Sequence, residues 1–192
     1  MLALVGFAFA TSITPGPNNL MLMASGANFG FRRTIPHMLG VSLGFAALAF
    51  LVGVGLAQVF ERYPAVHLIL KTVSVAFLLY LAWRIANAAP FGGREAAGRP
   101  MSFLEAAAFQ WVNPKAWAMA LTAVTVYAPG RSIEAVALVA LVFSSVNLPS
   151  IASWALAGGQ LRRILTSPAR LRVFNWIMAA LLVATLYPVL VA

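Results

Sequence analysis

The stretch TPGPNNL, residues 14–20, interrupts an apolar run that begins at the first residue. Proline, glycine and proline occupy residues 15–17, and two asparagines follow them. Because proline lacks a backbone N–H and fixes φ, these residues predict a break in the helix that the apolar run would otherwise form. A second interruption, VNPKAW, occupies residues 112–117. The two interruptions decide the fold, since most of the sequence around them is apolar.

The composition is that of an integral membrane protein. Of the 192 residues, 62% are hydrophobic and 9% are charged, whereas a soluble domain carries roughly 25% charged residues. The chain has no cysteine and no aspartate, which excludes disulfides and thiolate ligands and leaves little for carboxylate catalysis. We therefore expect no metal, no cofactor and no enzymatic activity. The basic residues behind the net charge of +9 form short clusters between apolar segments, which indicates cytoplasmic loops rather than nucleic-acid binding.

The chain divides into six predicted spans, since a bilayer-spanning helix needs ~20 apolar residues. They cover residues 1–28, 36–60, 66–89, 101–128, 132–158 and 169–191. The N-terminal run lacks the basic start of a signal peptide, so we expect it to stay in the mature protein. A polar linker, 93–100, divides a single transmembrane domain into a first repeat, 1–92, and a second repeat, 101–192.

The basic residues predict the orientation in the membrane. Nine of them follow spans one, three and five: Arg32, Arg33, Arg84, Arg94, Arg99, Arg162, Arg163, Arg170 and Arg172. Arg62, Lys71 and Arg131 lie on the other side, and Lys115 belongs to neither set. Because positive loops stay in the cytoplasm, both termini are predicted to lie on the outer side of the membrane.

The two halves are related by an offset of about 100 residues, which sets the two interruptions opposite each other. Each half holds three spans, so the second half enters the membrane in the opposite sense. Each break lies roughly 20 Å into its span at 1.5 Å per residue, and the two are approached from opposite faces. The pattern predicts an all-α protein of six transmembrane helices, arranged as two inverted three-helix repeats in which helices one and four are broken.

The two breaks are predicted to form a central binding site. A proline alone is often only a kink in a membrane helix, but a broken helix exposes backbone groups that survive best around a polar cavity. The half-helix after each break presents a positive end to a carboxylate. Asn18, Asn19 and Asn113 add amide groups, and Lys115 adds a fixed cation. Such a site suits a small solute that carries a carboxylate or is zwitterionic.

At these residues the chain resembles the LysE/RhtB family of amino-acid exporters. The resemblance covers TPGPNNLMLMASGANFGFRRTIPHMLGVSLGF, PAVHLILKTVSVAFLLYLAWRIA, MSFLEAAAFQWVNPKAW and NLPSIASWALAGGQL. It implies a small inner-membrane exporter with six helices that works by proton antiport. The family's signature residues fall on Thr14, Pro15, Gly16, Pro17, Asn18, Asn19, Asn113, Pro114 and Lys115. Spans three and five look most like the branch that exports cysteine and O-acetylserine, in which the second break often lacks the proline kept here.

Three further polar residues are candidates because of their positions. Glu105 is either a proton-coupling carboxylate inside the membrane or a glutamate in the first turn of span four. His37 is either a proton relay or an interfacial histidine with a hydrogen bond. Gln110 is expected to face Lys115 from about one turn away, as part of the binding site.

Two other patterns concern the helices around the site. Asn147 and Pro149 are expected to make a third break, in span five, that widens the same cavity. Gly40 and Gly44 have the spacing of a small-residue stripe, which predicts close helix packing rather than ligand binding.

The sequence thus predicts export of an amino acid or a close derivative across a lipid bilayer. The two repeats would rock to alternate access to the site, and Lys115 could itself carry the coupled proton. Two other functions stay open: export of another small solute or ion on the same scaffold, and a membrane protein that transports nothing. A membrane enzyme would need a nucleophile with a base, or a carboxylate pair, and the sequence offers neither. So short a chain could also work as a homodimer.

Overall fold

The computed structural model describes residues 1–56, 58, 63, 65–88 and 98–191, and the regular structure in this part of the chain is helical. Its helices are α1 Leu2–Ile13, α2 Pro17–Phe29, α3 Phe31–Leu51, α4 Ala65–Ala86, α5 Phe103–Phe109, α6 Pro114–Tyr127, α7 Ile133–Leu161, α8 Pro168–Ala184 and α9 Tyr187–Val191. A π-helical turn, Val52–Leu56, extends α3, and a 3₁₀ turn, Gln110–Val112, extends α5. Most of the predicted linker, including Arg94, lies outside the described residues, and so does Arg62 after predicted span two.

The chain is an all-helical, multi-pass membrane protein. Among the described residues, four helical stretches are long and apolar enough to cross a membrane: Phe31–Leu56, Leu68–Ala86, Ile133–Leu161 and Pro168–Val191. They correspond to predicted spans two, three, five and six. Predicted spans one and four are each divided into two shorter helices, α1 with α2 and α5 with α6. Both breaks fall at the proline-containing stretches, so this prediction is confirmed.

The predicted loop between spans one and two is wrong. Only Gly30 separates α2 from α3, and Arg32 and Arg33 therefore lie in the first turn of a helix. Gly30 has a φ of 84°, a conformation that residues with a side chain rarely adopt, and it turns the chain within one residue. The sequence reading took Pro36 as the end of the loop, but the structure includes Pro36 within α3.

The predicted third break is also wrong. Helix α7 continues without interruption past Asn147 and Pro149 to Leu161. A proline removes one N–H from the helical ladder, and membrane helices tolerate this where neighbouring helices support the chain. Here α7 packs against α1, α2 and α3, so it is supported along much of its length.

The helices approach one another most closely at glycines. A Cβ atom on Gly158 of α7 would lie 2.0 Å from the carbonyl oxygen of Met23 in α2. A Cβ atom on Gly40 of α3 would lie 2.3 Å from the carbonyl oxygen of Phe103 in α5. A Cβ atom on Gly44 of α3 would lie 2.6 Å from the Cα atom of Ala107 in α5. The close packing predicted for Gly40 and Gly44 is confirmed, and their partner is α5.

Two apolar clusters lie on either side of the breaks. The first joins α1, α6, the second half of α3 and the first half of α7, around Phe45 and Phe143. The second joins α2, α4, α5 and α8 with the remaining halves of α3 and α7. On α7, the buried Asn147 stands between Phe143 of the first cluster and Ile151 of the second. The breaks therefore occupy a polar layer between two apolar cores.

Candidate functional site

The first break is a short extended segment between α1 and α2. Thr14 has a φ of −62° and a ψ of 137°, because the ring of the following Pro15 disfavours helical backbone at the residue before it. Helix α2 begins at Pro17, where the missing N–H needs no partner because it lies in the first turn. The two prolines thus define both ends of the break.

Side chains from elsewhere satisfy the carbonyl groups at the end of α1. Asn19 Nδ2 donates to the carbonyl oxygens of Ser12 and Thr14, each at 2.8 Å. Trp154 Nε1 of α7 donates to the carbonyl oxygen of Ile13 at 3.1 Å. Because backbone groups at membrane depth are costly when unpaired, these bonds allow the helix to stop there.

The second break is shorter and carries its own cap. Asn113 has a φ of −97° and a ψ of 106°, and its side-chain oxygen accepts a hydrogen bond from the backbone N–H of Lys115 at 3.2 Å. Pro114 takes the first position of α6. The side chain of Asn113 therefore fixes the start of α6, as asparagine does at many helix N-termini.

A reciprocal amide pair joins the two breaks. Asn18 Nδ2 donates to Gln110 Oε1 at 2.8 Å, and Gln110 Nε2 donates to Asn18 Oδ1 at 3.2 Å. Gln110 Nε2 also donates to the carbonyl oxygen of Ala106 at 2.9 Å. The expectation that Gln110 faces Lys115 is therefore wrong, because the 3₁₀ turn directs its amide to the opposite break.

Lys115 reaches from the second break to the first. Its Nζ donates to the carbonyl oxygen of Thr14 at 2.7 Å and lies 3.4 Å from that of Pro15. A cation is favourable there, because the carbonyl end of a helix is negative. Gly16 leaves the space that this side chain occupies, since a Cβ atom on it would lie 2.8 Å from Lys115 Cδ. In this conformation the lysine binds the protein's own carbonyl groups.

A small polar cavity lies between the two breaks. Its volume is about 20 Å³, which is room for about one water molecule. Its polar lining comes from Thr11, Ser12, Asn18, Asn19, Asn113, Lys115 and Asn147. Asn147 Nδ2 donates to Ser12 Oγ at 3.1 Å, whereas Asn147 Oδ1 has no partner among the described residues. The structure thus gathers the predicted asparagines and Lys115 around one small space, which we call the central cavity.

A much larger cleft leads to the same place from one end of the molecule. It has a volume of about 1000 Å³ and lies between α4, α6 and α9, with Pro15, Gly16, Pro17, Pro114 and Lys115 at its inner end. Along α6 the cleft extends from Lys115 to Leu121, towards Tyr127, whose Oη donates to the carbonyl oxygen of Ala3 at 3.2 Å. The cleft therefore extends towards the end of the molecule where α1 begins. We call it the outer cleft.

Glu105 lies in the first turn of α5. It forms a capping box with Ser102, and its two carboxylate oxygens accept hydrogen bonds from Arg99 at 2.6 and 2.7 Å. Of the two interpretations of Glu105, the structure agrees with the one that places it in the first turn of a helix. The same bonds with Glu105 raise the pKa of the Arg99 guanidinium, which stays charged through the physiological range.

His37 is buried in α3, with 1% of its surface exposed. Neither Nδ1 nor Nε2 has a hydrogen-bond partner among the described residues, so the expectation of a hydrogen-bonded interfacial histidine is wrong. Its helix begins at Phe31, earlier than predicted, which moves the ring from the expected mouth of a span into the packed second turn.

Sequence reasoning missed two contributors to the site. Trp154 lies outside both interruptions of the sequence, and Ser12 precedes the first of them. Trp154 follows Asn147 by seven residues, which sets both on one face of α7. That spacing was the available signal that the tryptophan faces the first break.

Interrupted helices that meet around a polar cavity are a feature of membrane transporters. The family model described as LysE type translocator matches residues 9–185, and the chain belongs to this family. It is therefore a transporter and not an enzyme. Among the described residues, no group of three histidines, cysteines or acidic residues could hold a metal ion.

Curated relatives agree with the family. A cysteine/O-acetylserine efflux protein of Klebsiella pneumoniae is 30% identical over 183 residues, which cover 94% of this chain and 92% of the relative. Proteins of the same description from Salmonella typhimurium and Escherichia coli K12 are each 30% identical and cover 92% of this chain and 90% of the relative. No solved structure matches the chain. The resemblance seen in the sequence motifs is confirmed.

Proposed function

We propose that this chain exports a small amino acid or amino-acid derivative from the cytoplasm, in exchange for protons. The observation that carries the proposal is the meeting of the two broken helices at a polar cavity, in a member of the LysE type translocator family. The names of the relatives support cysteine and O-acetylserine as the first solutes to test.

The architecture in this proposal has six spans in two inverted three-helix repeats. The helix contacts support it, because they map onto one another when the halves are exchanged. Broken helix one packs on α7 and broken helix four packs on α3, while α3 pairs with α7 and α4 pairs with α8. The termini face the periplasm of a bacterial inner membrane. A single cysteine in place of Gly130 should then react with an impermeant maleimide in intact cells.

The solute binds between the breaks while Lys115 is neutral, with its carboxylate at the positive starts of α2 and α6, so the solute and the proton occupy the site in turn. Asn18 and Gln110 exchange their mutual hydrogen bonds for bonds to the solute, since their amide pair spans the two breaks. Asn19 and Asn113 hold the surrounding backbone, and Asn147 lines the cavity with them. Because the cavity of about 20 Å³ admits only about one water, the solute enters after the helices separate.

Lys115 carries the coupled proton in this proposal. It lies at the inner end of the outer cleft, so protons from the periplasm reach it, and it also lines the central cavity where the solute binds. His37 and Glu105 were the other coupling candidates. Glu105 is paired with Arg99, which leaves its carboxylate less suited to exchange protons during each cycle.

The test uses inverted membrane vesicles and labelled O-acetylserine. Wild-type protein should accumulate the solute when the vesicle interior is acidified, and Lys115→Met should reduce the rate at least tenfold. Lys115→Arg keeps the charge but does not readily release its proton, so it should lose the response to the pH gradient. Equal transport by wild type and Lys115→Met would remove the lysine from the mechanism.

The same vesicles distinguish the alternatives. Competition by other amino acids identifies the preferred class, and transport of other solutes or ions without such competition would favour the alternative substrate class. Crosslinking of single-cysteine variants in membranes distinguishes a monomer from a homodimer.

A further inference from the structure

A second pocket lies beyond the breaks, on the side opposite to the outer cleft. Its volume is about 240 Å³, against about 20 Å³ for the central cavity. Helix α2 lines both spaces: Asn18 and Asn19 face the central cavity, while Met21, Ser25 and Asn28 face this second pocket. One helix therefore forms a continuous wall from the second pocket, which we call the inner pocket, to the central cavity.

His37 stands out among the buried polar groups of the inner pocket. Its ring lines the pocket, and both of its nitrogen atoms are without a partner among the described residues. The neighbouring polar groups are paired: Ser25 Oγ lies 2.9 Å from Thr34 Oγ1, and Asn28 exchanges two hydrogen bonds with Asn175 at 2.7 and 3.1 Å. Since buried polar atoms are nearly always hydrogen-bonded, an unpartnered imidazole in the lining of a pocket indicates a missing polar ligand.

The inner pocket also has a basic side. Arg84 and Arg99 both line it. The charge of Arg99 is neutralised by Glu105. Arg84 instead has its guanidinium carbon 5.9 Å from the centroid of the Tyr80 ring and donates to a backbone carbonyl at 3.4 Å. Neither contact neutralises the charge of Arg84, so this guanidinium can attract a carboxylate.

We propose that the inner pocket is a loading site for a small zwitterionic amino acid on the cytoplasmic side. A neutral imidazole has one acceptor nitrogen, and His37 uses it to bind the ammonium group of the solute, while Arg84 attracts the carboxylate. The solute then passes along α2 to the breaks. This assignment rests on the proposed export function, which sets the direction of travel and the class of solute.

The lack of cysteine in the chain allows a direct binding test. In inverted vesicles, Ala88→Cys introduces a single thiol at the inner pocket, and a maleimide should alkylate it. O-acetylserine, which has no thiol of its own, should slow this alkylation at least threefold. Ala169→Cys is the matched control, because Ala169 is exposed in the first turn of α8 and does not line the pocket, and its alkylation rate should not change.

Variants at His37 identify the groups responsible. In the Ala88→Cys background, His37→Leu should abolish the protection, and His37→Gln, which retains an acceptor, should keep most of it. Arg84→Gln provides an independent variant on the other side of the pocket and should also weaken the protection. Absence of protection in Ala88→Cys itself, or full protection in both His37→Leu and Arg84→Gln, would overturn the proposal.

Binding at the loading site and export are separate readouts. Protection without any O-acetylserine transport by wild type would leave the loading site in place and contradict the export function. Transport by wild type without protection would keep the export function and overturn the loading site.

Discussion

Individual donors at the first break determine whether α1 can end inside the membrane. The carbonyl oxygens of Ser12, Ile13 and Thr14 receive hydrogen bonds from Asn19, Trp154 and Lys115, which lie on three different helices. Asn19 serves two of these three carbonyl groups with its one amide nitrogen.

Replacement of Asn19 by leucine should therefore destabilise the protein. It leaves two carbonyl groups short of a donor, with an expected loss of about 1–3 kcal/mol in the free energy of unfolding. The measurement is unfolding in mixed detergent micelles, followed by tryptophan fluorescence. Asn87→Leu is the control, since Asn87 is exposed and donates only to the carbonyl oxygen of Trp83 in its own helix. Equal losses in the two variants would contradict the role given to Asn19.

The positions of the breaks could be predicted from the sequence, but the side-chain hydrogen bonds across them could not. Proline acts on the residue before it and on its own N–H, so Pro15, Pro17 and Pro114 determine local backbone whatever surrounds them. The partners of Asn18 and Lys115 lie about 100 residues away in the chain, and only the tertiary contacts that bring the two breaks together select them. Local chemistry therefore located the site, and tertiary contacts assigned the side chains within it.

Helices in this protein pack backbone against backbone where a glycine has no side chain. Helices α2 and α7 cross at Gly26 and Gly158, where added Cβ atoms would lie 2.1 and 2.0 Å from backbone oxygen atoms of the opposite helix. Backbone oxygen atoms cannot move aside as a side chain would, so the crossing tolerates only glycine.

Gly158→Ala should force α2 and α7 apart. The expected cost is about 1–3 kcal/mol, as for other substitutions that overfill a packed interior. Thermal unfolding in detergent should show a lower Tm for this variant. Gly6→Ala is a matched control, because a Cβ atom on Gly6 of α1 meets nothing within 4 Å and alanine favours the helix. An unchanged Tm for Gly158→Ala would mean that the crossing is looser than the structure indicates.

Element boundaries show the same division between local and tertiary causes. The chain turns at Gly30 alone, and α7 passes through Pro149, although the sequence favoured a longer loop and a break. Periodicity cannot distinguish a proline that ends a helix from one that neighbouring helices support, because that support comes from residues far away in the sequence.

At the scale of the whole molecule, the strongest helix contacts join different halves of the chain. Helix α2 is fixed to α7, and α3 is fixed to α5, whereas α4 packs mainly against α8. The outer cleft lies between α4, α6 and α9. We therefore expect the pair formed by α4 and α8 to move against the remaining helices, rather than one repeat against the other.

A crosslink across the outer cleft tests this expectation. Leu70→Cys in α4 and Leu121→Cys in α6 line its two walls, and a bifunctional thiol reagent that joins them should stop transport. Joining Ala3→Cys to Tyr127→Cys, whose native residues are in contact within the stationary group, should leave transport within about twofold of the uncrosslinked protein. Inhibition by both crosslinks alike would argue against a moving α4–α8 pair.

The glycine crossing of α2 and α7 also has a consequence for biosynthesis. Helix α2 is made near the start of the chain, and its partner Gly158 near the end. During insertion, the narrow backbone face around Gly26 stays without its partner until α7 has been synthesised. The order of synthesis therefore differs from the order of assembly. The hydrogen bonds at the first break can all form only after most of the protein is in the membrane.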